Sequence, residues 1–265
     1  MNITLLQTNL HWQNPVANRA MLEEKLFTLP KPTDLIVLPE MFTTGFTMEA
    51  RAVAEPMNLT TFKWLRQMAE QTNAAITGSY VVQENGGPTG RHYHNRLIWM
   101  EPDGQFAHYD KRHLFRMAGE EKTYTAGTSR LIRTWRGWRI CPLICYDLRF
   151  PVWSRNRQTA PHQLDYDLLL YIANWPAPRQ TAWDTLLQAR AIENLSYTAG
   201  VNRVGIDGSG HTYLGGSALI DYKGEVLFRQ YDTETVHQQT LSLTDLQAFR
   251  AKFPAYLDAD EFNVK

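Results

Sequence analysis

Apolar and polar positions along the chain alternate between two periods, short runs of strand length and longer segments in which apolar residues recur every three or four positions. The run "ITLLQT" predicts a first strand, residues 15–29 an amphipathic helix, and "DLIVLPE" a second strand apolar enough to be buried on both faces. Residues 58–71, with Phe62, Leu65 and Met68 on one face, predict another helix, with Asn58 or Thr60 as its cap. "AAITGSYVVQ" predicts the next strand.

From Arg91 the pattern changes to hairpins, with "PDGQ" at 102–105, "RG" at 136–137 and "KG" at 223–224 as turn signals between strand-like flanks. "DLLLYIAN" predicts a strongly apolar strand, 180–196 a helix, and "TYLGGSALI" with "GEVLFRQ" a late hairpin. This alternation predicts an α/β layered fold. The closing segment "FPAYLDADEFNVK" is expected to be an arm that packs on a neighbouring molecule. No repeat, low-complexity stretch or shift in composition marks a boundary, so residues 1–265 are expected to form a single domain.

Hydrophobic residues make up 43% and charged residues 20% of the 265, a globular composition. Lys plus Arg and Asp plus Glu each number 27, so no basic excess points to nucleic acid or anionic lipid, and a small-molecule or protein partner is expected instead. The N-terminal stretch "MNITLLQTNLHWQN" has neither the charged region nor the long apolar region of a leader, and no apolar run approaches membrane-spanning length; a cytoplasmic protein is expected. Cys141 and Cys145 lie on one predicted strand, where extended geometry puts their Cα atoms about 13 Å apart, too far for a disulfide.

Strand-like segments end in reactive groups at three places: "LIVLPE" in Glu40, "FAHYDK" in Lys111 and "ICPLIC" in Cys145. Carboxyl ends of strands are where sites assemble in layered α/β folds. A carboxylate can take the proton of a thiol, and an ammonium can stabilise both the thiolate and the oxyanion formed when sulfur attacks a carbonyl. Singly, each has a plainer explanation, a solvated charge or a small buried hydrophobe. Cys141, inside the apolar run, reads as core. His92 and His94 form an H-x-H pair, but neither an HExxH helix nor a cysteine pair accompanies it, so no metal site is expected. No GxSxG occurs, which disfavours a serine hydrolase.

The stretches "LPEMFTTGF", "YDKRHLF" and "ICPLICYDLRFP", in that order, resemble the nitrilase or carbon–nitrogen hydrolase superfamily, and "YIANWPAPR" and "ARAIENLSY" extend the likeness from Ile3 to about Phe262. Within it the chain looks most like the bacterial ω-amidases that hydrolyse 2-oxoglutaramate. The resemblance implies a four-layer αββα sandwich, a homodimer, no cofactor, and a catalytic triad of Glu40, Lys111 and Cys145 with Glu120, next to Glu121, as a second glutamate. It places His113 in a structural role. The implied mechanism has Lys111 and the Tyr146 backbone N–H holding the oxyanion while water completes the hydrolysis. A carboxylate-bearing substrate wants an arginine; Arg116 and Arg149 are the candidates, Arg116 preferred, with Phe42 and Trp175 as expected apolar walls. Other branches (a deaminated-glutathione amidase, an N-carbamoyl hydrolase, a nitrilase) share the triad. A non-catalytic binding or scaffold protein would be expected to have lost one of its members.

Overall fold

Side chains of successive strand residues sort to opposite faces, and in the first half of this chain both faces are covered. Ile3 and Leu5 enter one apolar cluster and Leu6 another; Leu35 and Val37 part in the same way from Ile36 and Leu38, and Leu97 and Trp99 from Ile98 and Met100. The computed structural model describes residues 1–29, 32–86, 90–160 and 163–262.

A first sheet runs in the order Thr235–Thr240, Asn2–Gln7, Leu35–Val37, Ala75–Asn85, Arg91–Met100, Phe106–Asp110. A second runs Val204–Ile206, Thr212–Ile220, Tyr197–Val201, Leu168–Ile172, Trp138–Ile144, Arg133–Trp135. The central strands of each are parallel and the outer ones antiparallel, some as hairpin partners and one, Thr235–Thr240 against Asn2–Gln7, from the far end of the sequence. Helices Pro15–Phe27 and Thr60–Thr72 press Leu22, Leu26, Phe62, Leu65 and Met68 onto the outer face of the first sheet. Helix Gln180–Asn194 supplies Trp183, Leu187 and Ala191, and Leu243–Lys252 supplies Leu246, to the core that includes the second sheet. That same cluster joins Ile3, Leu5, Leu97 and Trp99 of the first sheet to Ile140, Leu143 and Leu169 of the second. The layers are therefore helix, sheet, sheet, helix, the four-layer αββα sandwich.

Local structure departs from the sequence reading at the caps. Asn58 has φ 67° and Leu59 occupies the N-cap of Thr60–Thr72 without a side-chain bond. Glu55, from the preceding short strand, accepts instead from Thr61 N–H (2.8 Å) and the Thr61 hydroxyl (2.5 Å), so an anion reached from outside the helix does the capping. Pro15–Phe27 is capped by Asn14, which accepts from Ala17 N–H at 3.1 Å. The Arg136–Gly137 turn has positive φ at both residues, 47° and 81°, the geometry that joins Arg133–Trp135 tightly to Trp138–Ile144.

Cys141 is buried and both cysteines are free. His92 Nδ1 faces the Thr125 hydroxyl, and His94 lies between Glu84 and Asp110. Among the described residues no helix is long and apolar enough to cross a membrane. The closing segment contains a 3-10 turn at Ala255–Asp258 with Phe253 and Leu257 exposed, and its last three residues, 263–265, lie outside the described residues.

Candidate active site

Both sheets send strand ends to one edge of the sandwich. Past Leu35–Val37 comes Glu40, past Phe106–Asp110 comes Lys111, past Trp138–Ile144 comes Cys145, and past Leu168–Ile172 comes Asn174. Lys111 stays in the ladder by donating its backbone N–H to Asn95 O at 3.1 Å. Residues far apart in sequence thus meet on rigid supports.

Lys111 is the hub. Its Nζ donates to Glu40 Oε1 at 2.9 Å and lies 3.0 Å from each carboxylate oxygen of Glu120; Glu40 and Glu120 are fully buried and Lys111 is 1% exposed. Burial alone would lower the lysine's pKa, but Glu120 and then Glu40 outweigh it and hold the ammonium well above its ordinary range. Burial raises the Glu120 carboxyl, with Lys111 opposing and Glu40 adding to the rise. Glu120 is swung inward by Gly119, whose φ of 71° suits a residue without a side chain, and Phe115 N–H donates to its Oε2 at 2.6 Å. Its neighbour Glu121 makes no such contact, so the glutamate of this cluster is Glu120.

Glu40 is held almost completely. Oε1 also accepts from Asn95 Nδ2 at 2.8 Å, Oε2 accepts from Asn174 N–H at 2.8 Å, and Asn174 Nδ2 donates to the Glu40 carbonyl at 2.6 Å. A carboxylate offers about four lone-pair directions, and three are filled, which leaves one for a proton arriving from the thiol. Burial pushes the Cys145 thiol well above its usual range, Glu40 adds to that, and Lys111 opposes it. Its sulfur lies 4.0 Å from the Asn174 carbonyl, too far for a strong bond. Such a thiol rests protonated, next to a carboxylate able to take its proton.

Cys145 begins a 3-10 turn, Cys145–Arg149, with φ 46°, a conformation that costs a non-glycine residue about 1 kcal/mol. Asp147 holds that turn in place. Fully buried, it accepts from Ile144 N–H (3.0 Å), the Tyr109 hydroxyl (2.7 Å) and His113 N–H (3.0 Å), with His113 Nδ1 at 2.8 Å. Trp153 Nε1 donates to the same Tyr109 hydroxyl at 3.0 Å. Asp147, Asn95 and Asn174 carry no role that the sequence pattern alone assigns. The signal for Asp147 was a carboxylate two residues beyond the thiol in an otherwise apolar run, where a buried charge must find donors.

Above this cluster opens a cleft of about 990 Å³, with Trp12, Phe46, Phe115, Tyr146, Trp175 and Tyr213 among its walls. Trp175 lines it as expected. Phe42 does not: Met41 has φ 43° and turns the chain, so Phe42 packs against Trp64 (5.8 Å between centroids) and Tyr80 (6.5 Å) beneath the helices, and Phe46 takes the wall. Arg116 is also corrected. It is exposed on the 3-10 turn Arg116–Ala118, outside the cleft, while its neighbours Phe115, Met117 and Ala118 line it. Arg149 does line the cleft, its guanidinium 5.1 Å from the Trp175 ring centre. Trp12, which no motif marked, forms a wall from the loop after the first strand.

Comparison with known proteins gives concordant likenesses. The family model for carbon–nitrogen hydrolases matches residues 5–251. "Omega-amidase YafV" of Escherichia coli K12 is 49% identical over 269 aligned residues, covering 100% of this chain and 98% of that protein. "2-Oxoglutaramate amidase" of Bacillus subtilis is 30% identical, covering 97% and 96%. Among solved structures, XC1258 of Xanthomonas campestris, described as a CN-hydrolase superfamily protein with an arsenic adduct in the active site, superposes with a TM-score of 0.96 at 47% identity, covering 100% of this chain and 99% of that one.

Proposed function

Because the chain belongs to the carbon–nitrogen hydrolase family, we propose that it is an ω-amidase that hydrolyses 2-oxoglutaramate and similar 2-oxo acid ω-amides to the 2-oxo diacid and ammonia. The observation that carries the reading is the set of groups beneath the cleft: a buried thiol, a carboxylate with one acceptor direction free, and an ammonium shared between two buried carboxylates. The full-length likeness to proteins named omega-amidase and 2-oxoglutaramate amidase supports the choice of amide.

Glu40 takes the thiol proton as Cys145 Sγ bonds to the amide carbon, and the tetrahedral oxyanion is held by Lys111 Nζ and the Tyr146 backbone N–H. The N–H groups of a helical first turn lack partners within that turn, which suits them to this role. The proton passes to nitrogen, the C–N bond breaks, and ammonia leaves a thioester. Water, losing a proton to Glu40 with Glu120 holding Lys111 in place, attacks the thioester carbon; the C–S bond breaks, and the thiol recovers its proton. The sum is amide plus water to carboxylate plus ammonium, with no cofactor.

Arg149 reads the carboxylate remote from the scissile bond. It lines the cleft four residues beyond the nucleophile, steadied on Trp175, with its N–H edges uncommitted to any carboxylate among the described residues. Purified protein should release ammonia rapidly from 2-oxoglutaramate, and Arg149→Ala should raise KM for it about tenfold or more, a lost charge-assisted hydrogen bond, with a much smaller change on a neutral aliphatic amide. Silence on the keto amide together with turnover of another amide or a nitrile would move the chain to a different branch of the family.

We also propose one cooperative domain over residues 1–265, a cytoplasmic location and a homodimer. Support for pairing comes from exposed Ile192, Val226 and Leu227 on and beside the outer helix Gln180–Asn194. Sedimentation equilibrium at micromolar concentration should give twice the chain mass; a monomer would refute the pairing.

A further inference from the structure

Arg179 is a cation of the cleft that the chemistry above leaves unused. Its carbonyl accepts from Trp175 Nε1 at 2.8 Å, so its backbone is tied to the wall that carries Arg149. Its guanidinium lies 5.1 Å from the Phe115 ring centre on the facing turn, and its Nη2 reaches Met117 Sδ at 3.5 Å. A thioether is a weak acceptor, easily displaced by a carbonyl or carboxylate oxygen. Among the described residues no carboxylate stands within ion-pair distance of Arg179 or Arg149.

The acidic groups of the same cleft do not balance these charges. Asp207 spends its oxygens on its own loop, accepting from Ser209 N–H (2.8 Å), His211 N–H (3.0 Å) and the Tyr213 hydroxyl (2.8 Å). Glu49 is exposed. Arg149 is exposed as well, and the single Glu49 carboxylate faces two flat, donor-only guanidiniums, so the balance of uncommitted charge in the cleft is positive.

We propose that Arg179 is a specificity-determining residue which, together with Arg149, brackets the end of the substrate remote from the scissile amide and selects a 2-oxo acid over the corresponding 2-amino acid. The inference rests on the keto-amide reading above. A 2-oxo acid presents a carboxylate and a neighbouring carbonyl oxygen, acceptors for both guanidiniums. Glutamine has the same carboxylate, so Arg149 alone does not separate the two. Its 2-ammonium group brings a second set of donors and a positive charge to the place where Arg179 needs an acceptor, and the like charges repel. Selection therefore works by rejection as well as by attraction.

The test is kcat/KM for the wild type, Arg179→Ala, Arg179→Gln and Arg179→Lys on 2-oxoglutaramate, glutamine and a neutral aliphatic amide. The alanine variant should lose at least about tenfold of its preference for the keto amide over glutamine, through a higher KM for the first and faster turnover of the second. Arg179→Gln, which keeps donors without charge, should admit the amino acid better than the wild type does, and Arg179→Lys should restore the preference. Equal proportional losses on all three substrates, or an unchanged ratio, would overturn the assignment and leave the keto-amide reading standing. A wild type that cleaves glutamine or the neutral amide but not 2-oxoglutaramate would overturn that reading and this inference with it. Thermal melts identify any variant that fails to fold, and the remaining substitutions then decide the ratio.

Discussion

Cys145→Ala should release no ammonia above background from any amide, a loss of at least about 10⁴-fold, as removal of a catalytic nucleophile brings. The loss should come without unfolding. The residue occupies a left-handed position that strains alanine and cysteine alike, and Asp147, not the thiol, ties the turn to Tyr109 and His113. A pH profile separates a base-activated thiol from a preformed thiolate. Since burial and Glu40 raise the Cys145 pKa, iodoacetamide labelling of this cysteine should go on rising with pH beyond about 9, where an ordinary thiol with a pKa near 8.5 is levelling off. The same shift makes folding sensitive to alkali: the thiol's contribution is complete below the unfolded pKa and is lost as pH climbs through the folded one. Residual turnover by the alanine variant would defeat the nucleophile assignment, and labelling that saturates by about pH 8.5 would show a preformed thiolate in place of a thiol activated by Glu40.

Lys111→Met should damage activity and stability together. Losing one oxyanion donor costs about 2.7–4 kcal/mol of transition-state stabilisation, some hundredfold to a thousandfold in kcat. In addition, Glu40 and Glu120 are left fully buried without their shared cation. Removing one partner from a buried ion pair typically destabilises by about 3–5 kcal/mol. The sign with pH is fixed by the carboxylates: with the ammonium gone, proton uptake relieves their repulsion, so the variant should recover stability as pH falls. Adding Glu120→Gln should restore much of the urea midpoint while leaving the enzyme inactive. A single variant as stable and as active as the wild type would show that Lys111 is no hub.

The placement of Glu40, Lys111 and Cys145 was legible because each ends an apolar strand, and strand ends are recognisable from local pattern. The layered fold was legible for the same reason, through the change of period between strands and helices. What local pattern cannot supply is direction after a turn. The left-handed backbone at Met41 sends Phe42 under the helices and leaves the cleft to Phe46, although both phenylalanines belong to one motif. Arg116 and Arg179 show the same limit, since only the folded loops tell which arginine lines the cleft. Partners distant in sequence were equally hidden: Asn174 reaches Glu40 across 134 positions, and Glu55 caps a helix from outside it.

Asn95 lies in one sheet and Glu40 and Lys111 just past its strand ends, while Cys145 and Asn174 follow strands of the other, so the reacting groups face each other across the seam where the sheets meet. Attacking sulfur and accepting carboxylate are therefore gauged by the thickness of the apolar filling between the layers, residues such as Leu5, Leu97 and Trp99 among them. A packing defect there, far from any reacting atom, would widen the gap between base and nucleophile. The enzyme would behave as a caliper whose jaws are set by its core, losing rate to a fraction of an ångström of slack well before it loses its fold.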